Sequence, residues 1–149
     1  MTTINEYELK VRRVKVDGLV RGRLVKYPID VVNAARYLIG GAAEEHFIVF
    51  ALNVKNEVVG HYTVAVGGID LCPVDMRAIF RLALVTSASG IIAIHNHPSG
   101  SPEPSEQDVL VTEKMVKAAK LLDLPLIDHI VVAGEDHYSF REHRPDMFK

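Results

Sequence analysis

The chain has 149 residues, 48% of them apolar, and a formal net charge of −2. That length suits one domain with a sizeable core, and the slight acidity counts against a protein that coats a polyanion. Cys72 is the one cysteine, which excludes a disulfide framework and a multi-cysteine zinc site. The opening MTTINEYELKVRRVKV lacks the apolar core of a signal peptide. No apolar run reaches the roughly 18–20 residues of a membrane span. A cytoplasmic protein with no membrane contact is therefore expected.

In chain order, residues 7–16 alternate loosely between apolar and charged, as a half-buried strand does. Asp17-Gly18 signals a turn, and residues 19–25 return as a second strand. Pro28 opens a helix to about Ile39, since proline suits a first helical turn, and Gly40-Gly41 ends it. HFIVFALN over 46–53 is apolar on both faces and reads as a buried central strand. Residues 57–68 form its hairpin partner across Lys55-Asn56. Pro73 precedes a helix over 74–87 with Met76, Ile79, Phe80, Ala83 and Leu84 at helical spacing, stopped by Gly90. IIAIH over 91–95 is a short buried strand.

Pro102 and Pro104 break the next loop. Ser105 then reads as a helix N-cap with Asp108 three residues on, a capping box with Asp in place of Glu or Gln. That helix runs to about Leu122 and buries Val109, Val111 or Thr112, Met115, Ala119 and Leu122. Residues 125–134 read as another buried strand, and 138–140 as a short final one. Strands and helices mix without a strict βαβ rhythm. The expected class is α+β or mixed α/β: one domain over 1–149, with an N-terminal strand extension over 1–27, a core over 28–140, and a central mixed sheet flanked by helices.

The chemistry concentrates in HNHPSGSPEPSEQD, residues 95–108. Alternate side chains of a strand share a face, so His95 and His97 point the same way at a strand end that Pro98 and Gly100 close. Asp108 lies in the first turn of the next helix, where the helix dipole favours an ionised carboxylate. Two neutral imidazoles and one anionic oxygen suit Zn²⁺ and leave a fourth position open, as catalytic zinc sites do. Structural roles for the same residues stay open: Ser105 and Asp108 also serve as caps, and histidines at a strand end also face solvent. There is no H-E-x-x-H and no P-C-x-x-C, which removes the zincins and the nucleoside-type deaminases. The letters HNH do not make the nuclease motif of that name, whose three residues are well separated in sequence.

The full pattern resembles the JAB/MPN (JAMM) metalloprotease superfamily, in its bacterial RadC-like branch. The superfamily signature is an upstream Glu followed by H-x-H-P-x(6)-S-x(2)-D, matched here by His95, His97, Pro98, Ser105 and Asp108. The branch wording HNHPSG, PS-x-x-D and an LDH-like segment is matched over 95–100, 104–108 and 127–132. Glu45-His46-Phe47 matches its "E-x-F" entry to the first core strand. The resemblance covers roughly residues 28–140. It implies a cytidine-deaminase-like JAB/MPN architecture, with Zn²⁺ bound by His95, His97 and Asp108 and water as fourth ligand. It implies Glu45 as the base, with Glu44 its neighbouring competitor, and Ser105 as hydrogen-bond donor to the developing oxyanion or the water. The implied activity is hydrolysis of a peptide- or isopeptide-like amide, with a protein or peptide as substrate. The alternative is a DNA-repair or DNA-processing accessory with a metal site and no peptidase turnover.

Two departures from the branch matter. Relatives often carry an N-terminal helix-hairpin-helix module, and no room for one is expected before Pro28, which weakens a nucleic-acid partner. Where the branch often has Pro-Arg-Glu, this chain has Met76-Arg77-Ala78. Asp128-His129 suits either support of the metal ligands or a satisfied core pair. His46, His61, His137 and His143 read as surface or rim positions. Lys10, Arg12, Arg13 and Lys15 read as the solvated face of an edge strand, which leaves pairing between copies of the chain open. Cys72 reads as an apolar filler.

Overall fold

The computed structural model describes residues 2–8, 10, 12, 24–67 and 74–149. Its elements are α1 (Ile29–Ile39), β1 (His46–Leu52), β2 (Val58–Val66), α2 (Met76–Thr86), β3 (Gly90–Asn96), α3 (Glu106–Leu122), β4 (Leu126–Ala133), β5 (Asp136–Ser139) and α4 (Phe140–His143), followed by a 3₁₀ turn over Pro145–Phe148. The five strands form one mixed sheet in the order β2-β1-β3-β4-β5. β3 and β4 run parallel across the α3 crossover, and the other neighbours are antiparallel. This is the mixed α/β class expected, with helices on both faces.

Alternation along β1 explains why HFIVFAL is apolar throughout. Phe47, Val49 and Ala51 enter a core with α2 and α3, through Ile79, Phe80, Met115 and Ala119. Ile48, Phe50 and Leu52 enter the opposite core with α1, through Val31, Val32, Ala35 and Ile39. A strand buried on both faces has no polar alternation to display. Truncating a fully buried phenylalanine such as Phe50 or Phe80 to alanine costs about 3–5 kcal/mol.

The helix signals acted largely as expected. α3 carries the complete capping box expected between Ser105 and Asp108, while α2 has a cap that was not anticipated, Asp75, which accepts from the Arg77 amide. The helix ends differ from expectation. Ser87, with φ +52°, closes α2, and its amide bonds to the Ala83 carbonyl. Gly90 opens β3 instead: a Cβ there would lie 2.8 Å from Ile127 Cδ1, so the glycine serves close packing against β4. Leu122, expected to be buried, is 43% exposed, and Leu84, at helical spacing with the buried Phe80 and Ala83, is 57% exposed. Thr112, not Val111, is the fully buried member of its pair, and Val116 is buried as well.

Phe140 begins α4 rather than ending the last strand, and neither α4 nor the 3₁₀ turn has a sequence period long enough to read. Of the strand expected over 7–16, the described residues Tyr7, Glu8, Lys10 and Arg12 carry no regular structure. Its other residues, the Asp17-Gly18 turn, Arg13, Lys15, Gly68, Cys72 and Pro73 lie outside the described residues. Within the return strand expected over 19–25, Leu24 bridges antiparallel to Glu57, and the Val25 amide bonds to the Asn56 carbonyl at 2.9 Å. Among the described residues no helix is long and apolar enough to cross a membrane.

Candidate metal centre

β3 ends in His95-Asn96, and His97 continues its extended course with its amide bonded to the Val132 carbonyl at 2.8 Å, so that alternation turns both imidazoles toward the α3 face. Their Nε2 atoms stand 3.0 Å apart, with the rings edge to face at 4.8 Å between centroids. His95 is fully buried, and Phe47 of the neighbouring strand lies parallel to its ring at 5.8 Å. His97 Nδ1 lies 2.9 Å from the Ser101 carbonyl. A carbonyl only accepts, so in the neutral ring Nδ1 holds the proton and Nε2 presents its lone pair.

Asp108 reaches the same point from α3. Its backbone amide donates to Ser105 Oγ at 3.1 Å, and the Ser105 amide donates back to Asp108 Oδ2 at 2.7 Å. The capping box thus orients the carboxylate, which sets Oδ1 at 3.2 Å from His95 Nε2 and Oδ2 at 3.2 Å from His97 Nε2. Burial opposes ionisation of Asp108, but the hydrogen bonds that His95 and His97 donate when their rings are protonated, the charge of His95 in that state and the Ser105 amide outweigh it. Together they hold the carboxyl well below the usual carboxylate range. Reciprocally, the hydrogen bond to Asp108 raises the His97 imidazole above its ordinary value, against its partial burial.

Glu45 arrives from the turn before β1. Because Phe47 pairs with His95 in an antiparallel register, the residues just before Phe47 lie beside the residues just after His95. Asn96, whose side chain leaves β3 on the face away from the imidazoles, secures this junction. Its Oδ1 accepts from the His46 amide at 2.6 Å, and its Nδ2 donates to the Glu44 carbonyl at 3.1 Å. The Gly67 amide donates to the Glu45 carbonyl at 2.8 Å from the other side. Glu45 Oε1 then sits 3.9 Å from His95 Nε2. Glu44 is exposed, and its carbonyl is engaged by Asn96 and by His46 Nδ1 at 3.0 Å.

Glu45, His95, His97 and Asp108 each place one ligand atom within 4.8 Å of the others. Their donor set suits zinc. Three donors at zinc–ligand distances of about 2.0–2.1 Å in a tetrahedron stand about 3.3 Å from one another. The separations among His95, His97 and Asp108 are 3.0, 3.2 and 3.2 Å. Ser105 sits at the head of α3, with its Oγ engaged as the N-cap acceptor.

The Asp128-His129 pair divides across β4. His129 is fully buried against the imidazole cluster: its Nε2 lies 2.9 Å from His95 Nδ1, its Nδ1 lies 2.6 Å from Thr112 Oγ1, and its ring stacks on Phe140 at 4.9 Å. Complete burial, with the nearby His95, pushes its pKa well below the ordinary imidazole value. Asp128 faces the other way, where it accepts from Ser139 Oγ at 2.5 Å, the His129 amide at 2.7 Å and the Arg141 amide at 3.0 Å. Burial raises its pKa to about 6 against those bonds. His46, His61 and His137 are half-buried and His143 is exposed; none joins the cluster.

The roles of Asn96 and Thr112 beside the site escaped the sequence reading, in which Thr112 stood only as a candidate buried residue. Asn96 was legible in principle, because a polar residue in a doubly buried strand requires partners. Thr112 lies four residues after Asp108, on the same helical face.

The family model for the RadC-like JAB domain matches residues 25–145. A UPF0758 protein of Listeria welshimeri is 36% identical over 131 residues, which is 88% of this chain and 58% of that protein. UPF0758 proteins of Salinibacter ruber and Caldanaerobacter subterraneus are 37% and 38% identical over 118 residues, each covering 79% of this chain and 51% of the relative. The chain thus spans about half the length of the curated relatives it matches. With most of its length matched, and with the signature residues gathered at one strand end, the chain belongs to the RadC-like JAB family.

Proposed function

We propose that this chain is a zinc-dependent hydrolase of the JAMM type, cleaving a peptide- or isopeptide-like amide bond in a protein or peptide substrate. The observation that carries the reading is the carboxylate of Glu45, 3.9 Å from His95 Nε2 and held there by a turn fastened on both sides. A metal site that only stabilises a fold is closed by its ligands and has no use for a further carboxylate positioned beside them.

His95, His97 and Asp108 would hold the ion, which when bound supplies Lewis acidity and acidifies a water. Glu45 Oε1 takes a proton from the attacking water. It passes that proton to the amide nitrogen as the C–N bond breaks, so the amine leaves neutral and the carboxylate is restored. The hydroxyl proton of Ser105 is not used in its capping bond, where Oγ is the acceptor. It is the donor that Ser105 offers to the carbonyl oxygen as charge develops there. Phe47 against the His95 ring keeps solvent from the back of the site, where the imidazole must remain fixed.

The test compares cells carrying the wild-type chain with cells carrying Glu45→Gln in an unbiased search for cleaved proteins, alongside metal analysis of both purified chains. About one zinc per chain is expected in each, with cleavage products only in the wild type. A wild-type chain that takes up no zinc, or products that persist with Glu45→Gln, would overturn the reading.

A further inference from the structure

His129 and Thr112 form a hydrogen-bonded path between two of the proposed ligands, and the direction of each proton in it follows from the chemistry of its last acceptor. Thr112 Oγ1 lies 2.6 Å from the carbonyl oxygen of Asp108. A carbonyl has no proton to give, so the hydroxyl proton of Thr112 points to Asp108. Thr112 Oγ1 can then only accept from His129 Nδ1, 2.6 Å away. With its proton on Nδ1, neutral His129 presents a bare Nε2, and the contact of 2.9 Å to His95 Nδ1 requires His95 to donate. In its neutral form His95 is then left with the Nε2 lone pair facing Asp108 and His97.

We infer that Thr112 and His129 are positioning residues that hold His95 in its Nδ1–H form and so aim the Nε2 lone pair into the metal centre. The inference rests on the proposed ligand set. The path starts on the backbone of one proposed ligand, Asp108 on α3, crosses to β4, and ends on the ring of another, His95 on β3. It therefore ties the orientation of the imidazole to the helix that carries the carboxylate. All three side chains, His95, Thr112 and His129, are fully buried, so no water competes for the bonds. Phe47 stacks on the His95 ring and Phe140 on the His129 ring, which fixes the planes in which the two imidazoles meet.

Thr112→Val removes the hydroxyl with little change of volume. His129 Nδ1–H then loses its acceptor, and moving its proton to Nε2 would reverse the bond to His95, place a proton on His95 Nε2 and block the ligand. Thr112→Ser keeps the hydroxyl. His129→Gln keeps an acceptor oxygen for His95 and a donor for Thr112.

The experiment uses the full chain and two measurements. The first is the tautomer of His95 in the zinc-free protein, read from long-range ¹H–¹⁵N correlations of the imidazoles. The second is zinc affinity, read by competition with a chromophoric chelator. Wild type and Thr112→Ser are expected to show the Nδ1–H form and equal affinity. Thr112→Val is expected to lose that form and bind zinc roughly 10- to 100-fold more weakly, with His129→Gln closer to wild type. A wild-type His95 protonated on Nε2, or a folded Thr112→Val chain with unchanged tautomer and affinity, overturns the inference while the proposed hydrolase stands. A wild type with the Nδ1–H form that binds no zinc upholds the tautomer relay and removes the metal reading instead.

Discussion

Asn96 Oδ1 accepts the amide of His46 at 2.6 Å, from the face of β3 opposite the two imidazoles that flank it in sequence. Through this bond and the one to the Glu44 carbonyl, the strand that presents His95 and His97 also sets the turn that presents Glu45. The proposed ligands and the proposed base are therefore referenced to one rigid element, which is what a proton transfer over a fixed distance requires.

Asn96→Ala removes both bonds and leaves a partly buried amide without its acceptor. Stability should fall by about 1–3 kcal/mol. Zinc stoichiometry should hold, because no ligand is touched, while kcat drops by up to about 100-fold as Glu45 loses its register. Denaturant melts, metal analysis and turnover of a cleaved protein identified with the wild type check this. A loss of stability with unchanged kcat would make Asn96 a core residue only.

Ser105 and Asp108 share a capping box but divide in the proposed chemistry. Ser105→Ala should cost about 1 kcal/mol through the lost cap, retain zinc and lower kcat. Asp108→Asn keeps an oxygen for the Ser105 amide but loses the anionic donor, so zinc content should fall well below one per chain with a smaller change in fold. Native mass spectrometry beside thermal melts separates the two variants. Equal zinc content in both would remove Asp108 from the ligand set.

Zinc should stabilise the folded chain by mass action. At a free concentration 1,000 times the Kd the gain is about 4 kcal/mol, or a rise in Tm of roughly 8–16 °C for a chain of this size. A chelator should reverse the shift, and His95→Ala should abolish it. A metal-independent Tm in the wild type would contradict the site.

Asp128 makes a separate prediction about acid. Its pKa rises from 3.8 in the unfolded chain to about 6 in the fold, because burial outweighs the bonds from Ser139, Arg141 and His129. A carboxyl with a raised pKa binds its proton more tightly when folded. Its contribution is full below about pH 4 and is lost as pH rises toward and past 6. The size of the effect is about 3 kcal/mol at most. Asp128→Asn should therefore flatten the stability profile between pH 4 and 6 relative to wild type, as measured by urea melts across that range. Parallel profiles for the two proteins would show that Asp128 keeps an ordinary pKa.

Much of the fold was legible because its signals are local. Pro28, Ser105 and the apolar run of β1 act on their own neighbours, so position in sequence nearly equals position in space. The errors lie where neighbours in space decide. Leu84 and Leu122 have helical spacing, yet about half of each stays exposed among the described residues. Gly90 looks like a stop but answers to Ile127, which is 37 positions away. Thr112 and Val111 compete for one buried place, and the partner on β4 chooses the hydroxyl.

The sequence by itself determined the donor types and their order: two imidazoles that strand alternation turns to one side, and a carboxylate that the capping box of its own helix orients. Those are short-range consequences of backbone period and end effects. Only the tertiary structure decided that Glu45, rather than Glu44, faces the cluster, because that choice depends on Asn96 and on the pairing of β1 with β3. Only the tertiary structure separated His129 from Asp128, since adjacent residues of a strand face opposite sides and the packing of α3 against β4 selects which side meets the imidazoles. A proton relay needs distances near 3 Å among three elements, and that information enters only when the sheet and helix are packed together.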